Sequence, residues 1–223
     1  MKSAQTKVVV FGLQDFASLA HFYLREDSEL EVVGFTVHDE YLDRDKFEGL
    51  PVTPFETLNE RYSQSDVTLF APMAPNRANE DRLRIFEDGR KAGWSFASYV
   101  SSKATTFSDF SAGENCFILE DNTVQPFVQI GDNVMMWSGN HIGHHSIVAD
   151  HVFIASHVVV SGHCELQSRC YLGVNSTLRD ASRIGEGSIV AMGANVIADT
   201  APYSVNIGNP AKATGADARD LKL

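Results

Sequence analysis

Histidine residues are concentrated in one short stretch of the sequence. Six of the eight histidines lie between residues 141 and 163, and His144 and His145 are adjacent. An imidazole has an ordinary pKa of about 6.5, so it can take a proton from a substrate at neutral pH and hand it on, as a general base does. Imidazole nitrogens also bind metal ions. The candidates for catalysis are therefore His141, His144 and His145.

A six-residue repeat must position these histidines. An aliphatic residue or methionine stands at every sixth place from Ile118 to Val196, and a small or β-branched residue follows four places after nearly all of them. A fixed short period of this kind is typical of a solenoid, in which each repeat packs on its neighbours. Cys164 and Cys170 fall on the small-residue places, so we interpret them as interior packing residues and not as catalytic thiols.

The repeats resemble the hexapeptide motif of the left-handed parallel β-helix. In that fold three hexapeptides form one triangular coil, so residues eighteen apart stack in adjacent coils, about 4.8 Å from each other. Four histidines share one place in successive repeats, and among them only His145 and His163 are eighteen apart. We expect these two to stack and the others to lie on different sides of the prism, as turn or interface residues. The four are His145, His151, His157 and His163.

The chain as a whole resembles the NeuD and PglD group of sugar acetyltransferases. The resemblance rests on the hexapeptides, on the tail of residues 208–212 (GNPAK) and on residues 142–146 (IGHHS), which align with the segment I-(D/E)-H-(D/E)-C of the family. It implies a homotrimer in which a small Rossmann-like domain precedes the β-helix. It also implies transfer of an acetyl group from acetyl-coenzyme A to a sugar.

The resemblance assigns the general base to His144. The acidic neighbours that orient this ring in the family are replaced here by a glycine and a histidine, so the orienting partner is open among His141, His145 and Asp150. The family pattern also implies that the backbone N–H of Gly162, eighteen residues further on, stabilises the oxyanion of a direct transfer. A glycine at this place lets the thioester approach the main chain, or else only relieves a crowded corner.

By the same resemblance acetyl-coenzyme A, as cosubstrate, lies along one edge of the prism between subunits. Lys212 meets a phosphate of this cosubstrate as a point charge, or is an ordinary surface lysine. The implied cofactor-binding residues are Gly162, Gly173, Ala191, Gly193, Pro210 and Lys212.

The first hundred residues alternate between strand and helix patterns. Because parallel neighbouring strands need crossover connections, this alternation favours a parallel sheet wrapped by helices. We predict an α/β Rossmann-like domain over residues 1–100 and an all-β left-handed parallel β-helix over residues 101–223. The predicted strands are residues 7–11, 31–37 and 66–70, the predicted helices 15–26, 54–62 and 77–91, and an apolar stretch at 94–100 closes the unit.

Ligands of such sheets bind at the carboxyl edge of the strands. The resemblance implies a glycine-rich turn after the first strand that approaches a nucleotide diphosphate beside a helix N-terminus. This turn has a single glycine and is followed by an aspartate, so the domain either binds the nucleotide-sugar or has kept only a structural role. The candidate substrate-binding residues are Gly12, Gln14, His38, Asp39 and Asn76.

The amino-acid composition limits the kinds of partner and the cell compartment that we expect for this chain. Lys and Arg total 18 against 29 Asp and Glu, a formal charge of −11, so a nucleic-acid backbone would be repelled. The apolar run at residues 8–11 is far short of the roughly 20 residues that span a bilayer, so no membrane association is expected. Three cysteines without C-x-x-C spacing, Cys116 among them, fit a reducing compartment. We expect a cytoplasmic protein.

The leading hypothesis is an acetyl-coenzyme A dependent N-acetyltransferase that acts on a nucleotide-linked amino sugar in glycan or surface-polysaccharide biosynthesis, without a metal. The nearest alternative is O-acetylation of a sugar of the sialic acid type. A second class is the γ-type carbonic anhydrase, also a β-helix, in which three histidines from two subunits hold zinc. A third is a trimeric scaffold without catalysis.

Overall fold

The computed structural model describes residues 6–221, which form an α/β unit followed by a parallel β-helix. Five strands of the α/β unit form one sheet in the order β3-β4-β2-β1-β5, parallel except for the short hairpin of β3 with β4. Its elements are β1 (Thr6–Phe11), α1 (Asp15–Glu26), β2 (Leu30–Val37), β3 (Lys46–Phe47), β4 (Leu50–Pro54), α2 (Leu58–Arg61), β5 (Val67–Phe70) and α3 (Glu80–Lys91).

Helices cover both faces of this sheet. Alternate residues of β1 point to opposite sides, so Val8 packs with α1 while Val9 packs with α2 and α3. The strand order reverses between β1 and β5, and the loops after these two strands flank the crevice in which open α/β sheets bind ligands.

Two predicted helices differ from the observed ones. The segment predicted as a helix at residues 54–62 is a 3₁₀ turn, Phe55–Thr57, followed by the short α2. The helix predicted from residue 77 begins only at Glu80, because Arg77, Ala78 and Asn79 have left-handed φ values of 47°, 52° and 62°. The Asn79 side chain donates hydrogen bonds to two carbonyl groups of the β-helix, so docking between the two parts shapes this turn.

The β-helix has three parallel sheets, which we call faces 1, 2 and 3. From β6 to β20 each rung is a two-residue strand, and partners in neighbouring rungs are eighteen residues apart, as for Ile142 and Val160. Face 1 holds β6 (Tyr99–Val100), β7 (Phe117–Ile118), β10 (Met135–Met136), β13 (Phe153–Ile154), β16 (Tyr171–Leu172), β19 (Ile189–Val190), β21 (Ser204–Ile207) and the antiparallel β22 (Lys212–Asp217). Face 2 holds β8 (Thr123–Val124), β11 (His141–Ile142), β14 (Val159–Val160), β17 (Thr177–Leu178) and β20 (Asn195–Val196). Face 3 holds β9 (Gln129–Ile130), β12 (Ile147–Val148), β15 (Glu165–Leu166) and β18 (Arg183–Ile184).

The interior of the prism confirms the sequence repeat. All fourteen aliphatic or methionine positions are buried, and the largest exposed fraction among them is 8% at Ile130. The small-residue places are buried as well, with Thr200 half-buried at the end. Cys164 and Cys170 are free, buried thiols within this core, which confirms their packing role.

The turns between rungs obey a further rule that we did not predict. One residue in every turn, at a fixed spacing of six from Asn115 to Gly193, has a positive φ in the left-handed region. Asparagine, aspartate and histidine are the non-glycine residues that adopt this conformation most readily. The four histidines in the shared repeat place lie in these turns, with φ between 58° and 64°. Local backbone conformation therefore explains part of the histidine abundance.

The α/β unit sits on face 1. Outward side chains of this face, such as Phe117, Met135 and Phe153, are apolar and buried in one cluster with residues of α1 and of the sheet. Tyr99–Val100 is already the first rung of face 1, because it pairs with Phe117–Ile118. None of the helices between residues 6 and 221 is both long enough and apolar enough to cross a membrane.

Candidate active site

His144 lies in the turn that joins face 2 to face 3. We call this edge of the prism the open corner; it is built from residues 125–127, 143–145, 161–163 and 179–181. The His144 side chain is exposed, and its backbone N–H donates to Oε1 of Gln125 at 2.9 Å. Its ring Nδ1 lies 3.1 Å from Nδ1 of His145. The coil therefore presents this imidazole to solvent with one neighbouring imidazole at hydrogen-bond distance.

A column of stacked rings stands beside His144. The rings of His145 and His163 are stacked with centroids 4.9 Å apart and planes 16° apart, which confirms the predicted pairing. Phe127 adds a third ring, 4.6 Å from His145. The His144 ring meets both histidines edge-on, at centroid distances of 5.2 Å and 5.0 Å. Three imidazoles thus meet at one point of the open corner.

The other proposed orienting groups lie elsewhere. Asp150 is in the turn between face 3 and face 1, where its Oδ1 accepts from the backbone N–H of Asp132 at 2.8 Å, so the suggestion that it orients His144 is wrong. His141 is half-buried on strand β11 of face 2, and not in the open-corner turn. Of the three suggested partners, the structure brings His145 to His144.

Gly162 lies one coil above His144, as the repeat requires. A Cβ added at Gly162 would lie 2.9 Å from Cε1 and 3.0 Å from Nε2 of His144, so only glycine leaves the ring its position. The backbone N–H of Gly162, however, donates to Oδ1 of Asp180 at 2.9 Å. The group predicted to stabilise an oxyanion therefore has a carboxylate partner in this structure.

Gly162 is at the open corner, whereas three other residues predicted to bind coenzyme A, namely Gly173, Ala191 and Gly193, lie at the corner that joins face 1 to face 2. Gly173 is packed under the next coil, since an added Cβ would lie 2.5 Å from the backbone nitrogen of Met192, whereas Gly193 is exposed with nothing within 4 Å. Ala191 is half-buried just before it. Face 2 separates these residues of a chain from its own His144.

The tail forms backbone hydrogen bonds with Asn195 of β20 on face 2, two residues after Gly193. The backbone N–H of Asn195 donates to the Gly208 carbonyl at 3.0 Å, and that of Ala211 donates to the Asn195 carbonyl at 2.8 Å. Pro210 and Lys212 are exposed on this tail. The structure thus brings the tail and Gly193 together, as one group apart from the histidines.

The residues predicted to bind substrate follow β1, β2 and β5 at the carboxyl edge of the sheet. Gly12 has φ of 118°, and its N–H donates to the Thr36 carbonyl at 2.8 Å, which continues the pairing of β1 with β2 by one residue. Gln14 is exposed just before α1, and its side chain does not cap that helix. Asn76 is half-buried in the loop after β5. These three flank the point at which the strand order reverses.

His38 and Asp39 are drawn instead to a carboxylate, Glu56. Nδ1 of His38 lies 2.8 Å from Oε1 of Glu56, and the backbone N–H of Asp39 donates to Oε2 at 3.0 Å. His38 also lines an open cavity of about 430 Å³, together with Lys91 and Trp94. Both candidates are thus paired with Glu56, while the His38 ring also contacts Phe11 at the end of β1, at a centroid distance of 5.5 Å.

Two residues of importance went unrecognised in the sequence. Asp180 stands eighteen residues beyond Gly162, a spacing that would have placed it in the next coil of the open corner. Arg82 of α3 is 1% exposed and donates to the backbone carbonyls of Asn133 and His151 in the turn between face 3 and face 1. No local pattern marks a helix arginine for burial against a separate part of the chain.

No protein-family model matches the chain, and no curated protein sequence matches it. Solved structures are similar over nearly the full length of both chains. The acetyltransferase domain of PglB from Neisseria gonorrhoeae in complex with acetyl coenzyme A has a TM-score of 0.79 at 18% identity, covering 94% of this chain and 100% of that one. WeeI from Acinetobacter baumannii has a TM-score of 0.78 at 18% identity, covering 93% and 100%.

A third structure carries both kinds of ligand. A histidine-to-asparagine variant of perosamine N-acetyltransferase from Caulobacter crescentus, in complex with CoA and GDP-perosamine, has a TM-score of 0.70 at 20% identity, covering 96% of this chain and 99% of that one. The TM-scores of 0.70 to 0.79 show that the architecture is shared, and at these identities they show the fold alone. The chain has the fold of these hexapeptide-repeat sugar acetyltransferases.

Proposed function

We propose that the protein transfers an acetyl group from acetyl-coenzyme A to the amine of a nucleotide-linked amino sugar, with His144 as general base. The observation that carries the proposal is the exposed His144 imidazole, held against His145 and under Gly162 in a fold shared with enzymes that bind acetyl coenzyme A or CoA with GDP-perosamine. A sugar hydroxyl as acceptor is the nearest variant.

The ring contacts suggest which nitrogen takes the proton. If Nδ1 of His144 donates its proton to Nδ1 of His145, the lone pair on Nε2 of His144 is free for the acceptor. The amine attacks the thioester carbonyl, a C–N bond forms and the C–S bond breaks. The amine proton passes to Nε2 and then to the departing thiolate, so no acyl-enzyme is required.

The Gly162 N–H would stabilise the oxyanion from one coil above the base. Its present acceptor is Oδ1 of Asp180. A carboxylate at this place would repel a developing oxyanion, so Asp180 has to release the N–H when the thioester arrives. The exposed position of Asp180 leaves its side chain room to do so.

A complete site needs more than one copy of the chain. His144 and the group of Gly193 with Lys212 lie at two different corners of one prism, so coenzyme A can meet both only where two copies pack side by side. Face 2 and its corners carry exposed apolar side chains suited to such packing, among them Val159, Val174 and Met192. We infer a homotrimer, in which each site lies between neighbouring prisms.

We assign the nucleotide to the α/β unit, as a Rossmann-like domain. Support comes from the reversal of strand order between β1 and β5 and from the tight turn at Gly12, which lets a diphosphate approach the main chain. Asp15 in the first turn of α1 opposes such an anion, and Gln14 offers it a neutral side chain. We place the reaction in the cytoplasm, in keeping with the free, buried cysteines.

The carbonic anhydrase alternative gains no support from the histidines. That class expects zinc ligands from two subunits, whereas His144, His145 and His163 come together within one chain. The structure gives no specific observation for a second function.

A thiol-release assay tests the proposal. Acetyl-coenzyme A is supplied with a panel of UDP-, GDP- and dTDP-linked amino sugars, and with the matching sugars that lack the amine as controls. We expect release with at least one amino sugar, and a fall of roughly 100-fold or more for His144→Ala with little change in coenzyme A affinity. Turnover that survives this substitution would assign the base to another residue, with His141 the next to test.

A further inference from the structure

The three imidazoles of the open corner are arranged as metal ligands. His144, His145 and His163 each offer one ring nitrogen, and the three nitrogens all lie within 4.8 Å of one another. All three side chains are exposed, so an ion can reach them from solvent. The group lies on one chain and on two adjacent coils, and it needs no partner subunit to form.

The distance between the first two ligands suits a metal ion. Nδ1 of His144 and Nδ1 of His145 are 3.1 Å apart. Two nitrogens bound to zinc at about 2.0 Å each are roughly 3 Å apart in tetrahedral or square geometry. In the absence of an ion only one of these facing nitrogens can carry a proton, so an ion would take the place of a single shared proton.

The backbone holds the third ligand in place. The N–H of His163 donates to the carbonyl of His144 at 2.9 Å, which ties the two turns together. The His163 ring is stacked on His145, so both rings extend from the corner in nearly the same direction. The coil therefore fixes the backbone of all three ligands, and small rotations of the exposed side chains bring nitrogens that lie within 4.8 Å of one another onto one ion.

The chemistry of this donor set selects the kind of ion. Imidazole suits zinc, copper, nickel and iron, whereas calcium and magnesium prefer oxygen ligands. Three protein ligands leave a fourth position open to water. Asp180, one coil beyond Gly162, adds a nearby negative charge without being counted as a ligand.

We propose that His144, His145 and His163 form a binding site for a divalent zinc ion, and that zinc at this site stops acetyl transfer. With the ion on Nδ1, the neutral ring of His144 carries its proton on Nε2, so this nitrogen can no longer act as the base. The binding half of the proposal stands on the geometry alone. The inhibitory half rests on the proposed function.

Zinc binding is measured directly by titration calorimetry, and the ligand set by the visible spectrum of Co²⁺ in the same site. The informative variant is His163→Asn, because asparagine keeps the left-handed turn at φ of 59° but removes a ligand. His157→Asn is the matched control, since His157 holds the same repeat place with φ of 58° at a different corner.

We expect one zinc ion per chain in the unmodified protein and in His157→Asn, and affinity at least about tenfold lower in His163→Asn. Loss of an outer partner of a metal ligand already costs about 10- to 100-fold in affinity, and loss of a ligand should cost no less. Absence of zinc binding, or equal affinity in His163→Asn and the control, overturns the proposal.

The inhibitory half is read from the ratio of thiol-release rates with and without zinc, with a chelator added to restore the rate. We expect zinc to inhibit the unmodified protein and His157→Asn at concentrations at which His163→Asn is not inhibited. If zinc binds as described but no amino sugar is acetylated, the proposed function fails and the metal site stands. If acetylation is normal and zinc neither binds nor inhibits, the metal site alone fails.

Discussion

At two corners of the same prism a histidine occupies the same position of the repeat, but the two side chains have different surroundings. His145 at the open corner and His151 in the turn from face 3 to face 1, the covered corner, both have left-handed backbones, with φ of 59° and 64°. One side chain is exposed beside another imidazole, and the other lies under helix α3. The repeat determines which residue types fit the turn, and the covering element determines what the side chain can do.

The covered corner is a polar contact between the two parts of the chain. Arg82 donates to the carbonyls of Asn133 and His151 and lies 5.6 Å from the centre of the Phe153 ring. Burial lowers the pKa of Arg82 to about 9. The Asn133 amide lies 2.9 Å from Nδ1 of His151, so the amide donates and this nitrogen accepts when the ring is neutral. Such a network is stable only while every partner stays in place.

The largest effect should come from removing Arg82. Arg82→Ala leaves a cavity and deprives two buried carbonyls of a charged donor, and we expect it to lower the free energy of unfolding by about 3 kcal/mol or more. Urea denaturation measures the change. Arg90→Ala is the matched control on the same helix, because Arg90 pairs with Glu114 and Asp132 in solvent and should contribute less than about 1 kcal/mol. An equal decrease in the free energy of unfolding for both variants would show that the buried Arg82 contributes no more to stability than the exposed Arg90.

A second test of the covered corner uses pH. Burial, and then the charge of Arg82, lower the pKa of His151 to about 4 from its ordinary 6.5. The unfolded chain takes up this proton near pH 6.5 and the folded chain only near pH 4, so the contribution to stability is present above pH 6.5 and is lost as pH falls between these values.

This loss should reach about 3 kcal/mol at most, because one pKa unit corresponds to about 1.4 kcal/mol. It is measured as the difference in unfolding free energy between the unmodified protein and His151→Asn, followed from pH 7 to pH 4. The difference should shrink as the pH falls from 6.5 towards 4. A constant difference for His151→Asn would contradict the assignment of a buried neutral ring.

At the open corner, a substitution at Gly162 should lower the acetyl-transfer rate with little change in stability. Gly162→Ala places a methyl group about 3 Å from the His144 ring, which is exposed and can move aside. We expect the acetyl-transfer rate to fall roughly tenfold to 100-fold, because small misplacements of a catalytic group are costly, while the unfolding free energy changes by less than about 1 kcal/mol. Gly139→Ala, which crowds the His157 ring instead, should leave the rate unchanged.

The regular part of the molecule could be predicted from the sequence because its contacts repeat. Interior positions from Ile118 to Val196 recur every six residues, and each has similar surroundings. A pattern of residue types is therefore enough to identify the core. The stacking of His145 on His163 follows from the same period. The left-handed place in each turn was also present in the sequence, as the recurring asparagines and histidines, but was not recognised.

What could not be predicted depends on contacts between distant parts of the chain. The start of α3 is shifted to Glu80 because Asn79 binds carbonyls ninety residues further along the chain. The burial of Arg82 has the same origin. At the open corner, the eighteen-residue spacing places Asp180 in the coil next to Gly162, but it does not show that the carboxylate turns to accept from the Gly162 N–H.

The role of His144 as the base is tested most directly by comparing His144→Ala with His151→Asn in one experiment. The rate is measured by thiol release from acetyl-coenzyme A with an accepted amino sugar, and stability by urea unfolding at pH 7. We expect His144→Ala to lose roughly 100-fold or more in rate and to keep its stability, and His151→Asn to keep its rate. A full rate in His144→Ala, or an equal loss of rate in both variants, would contradict this expectation.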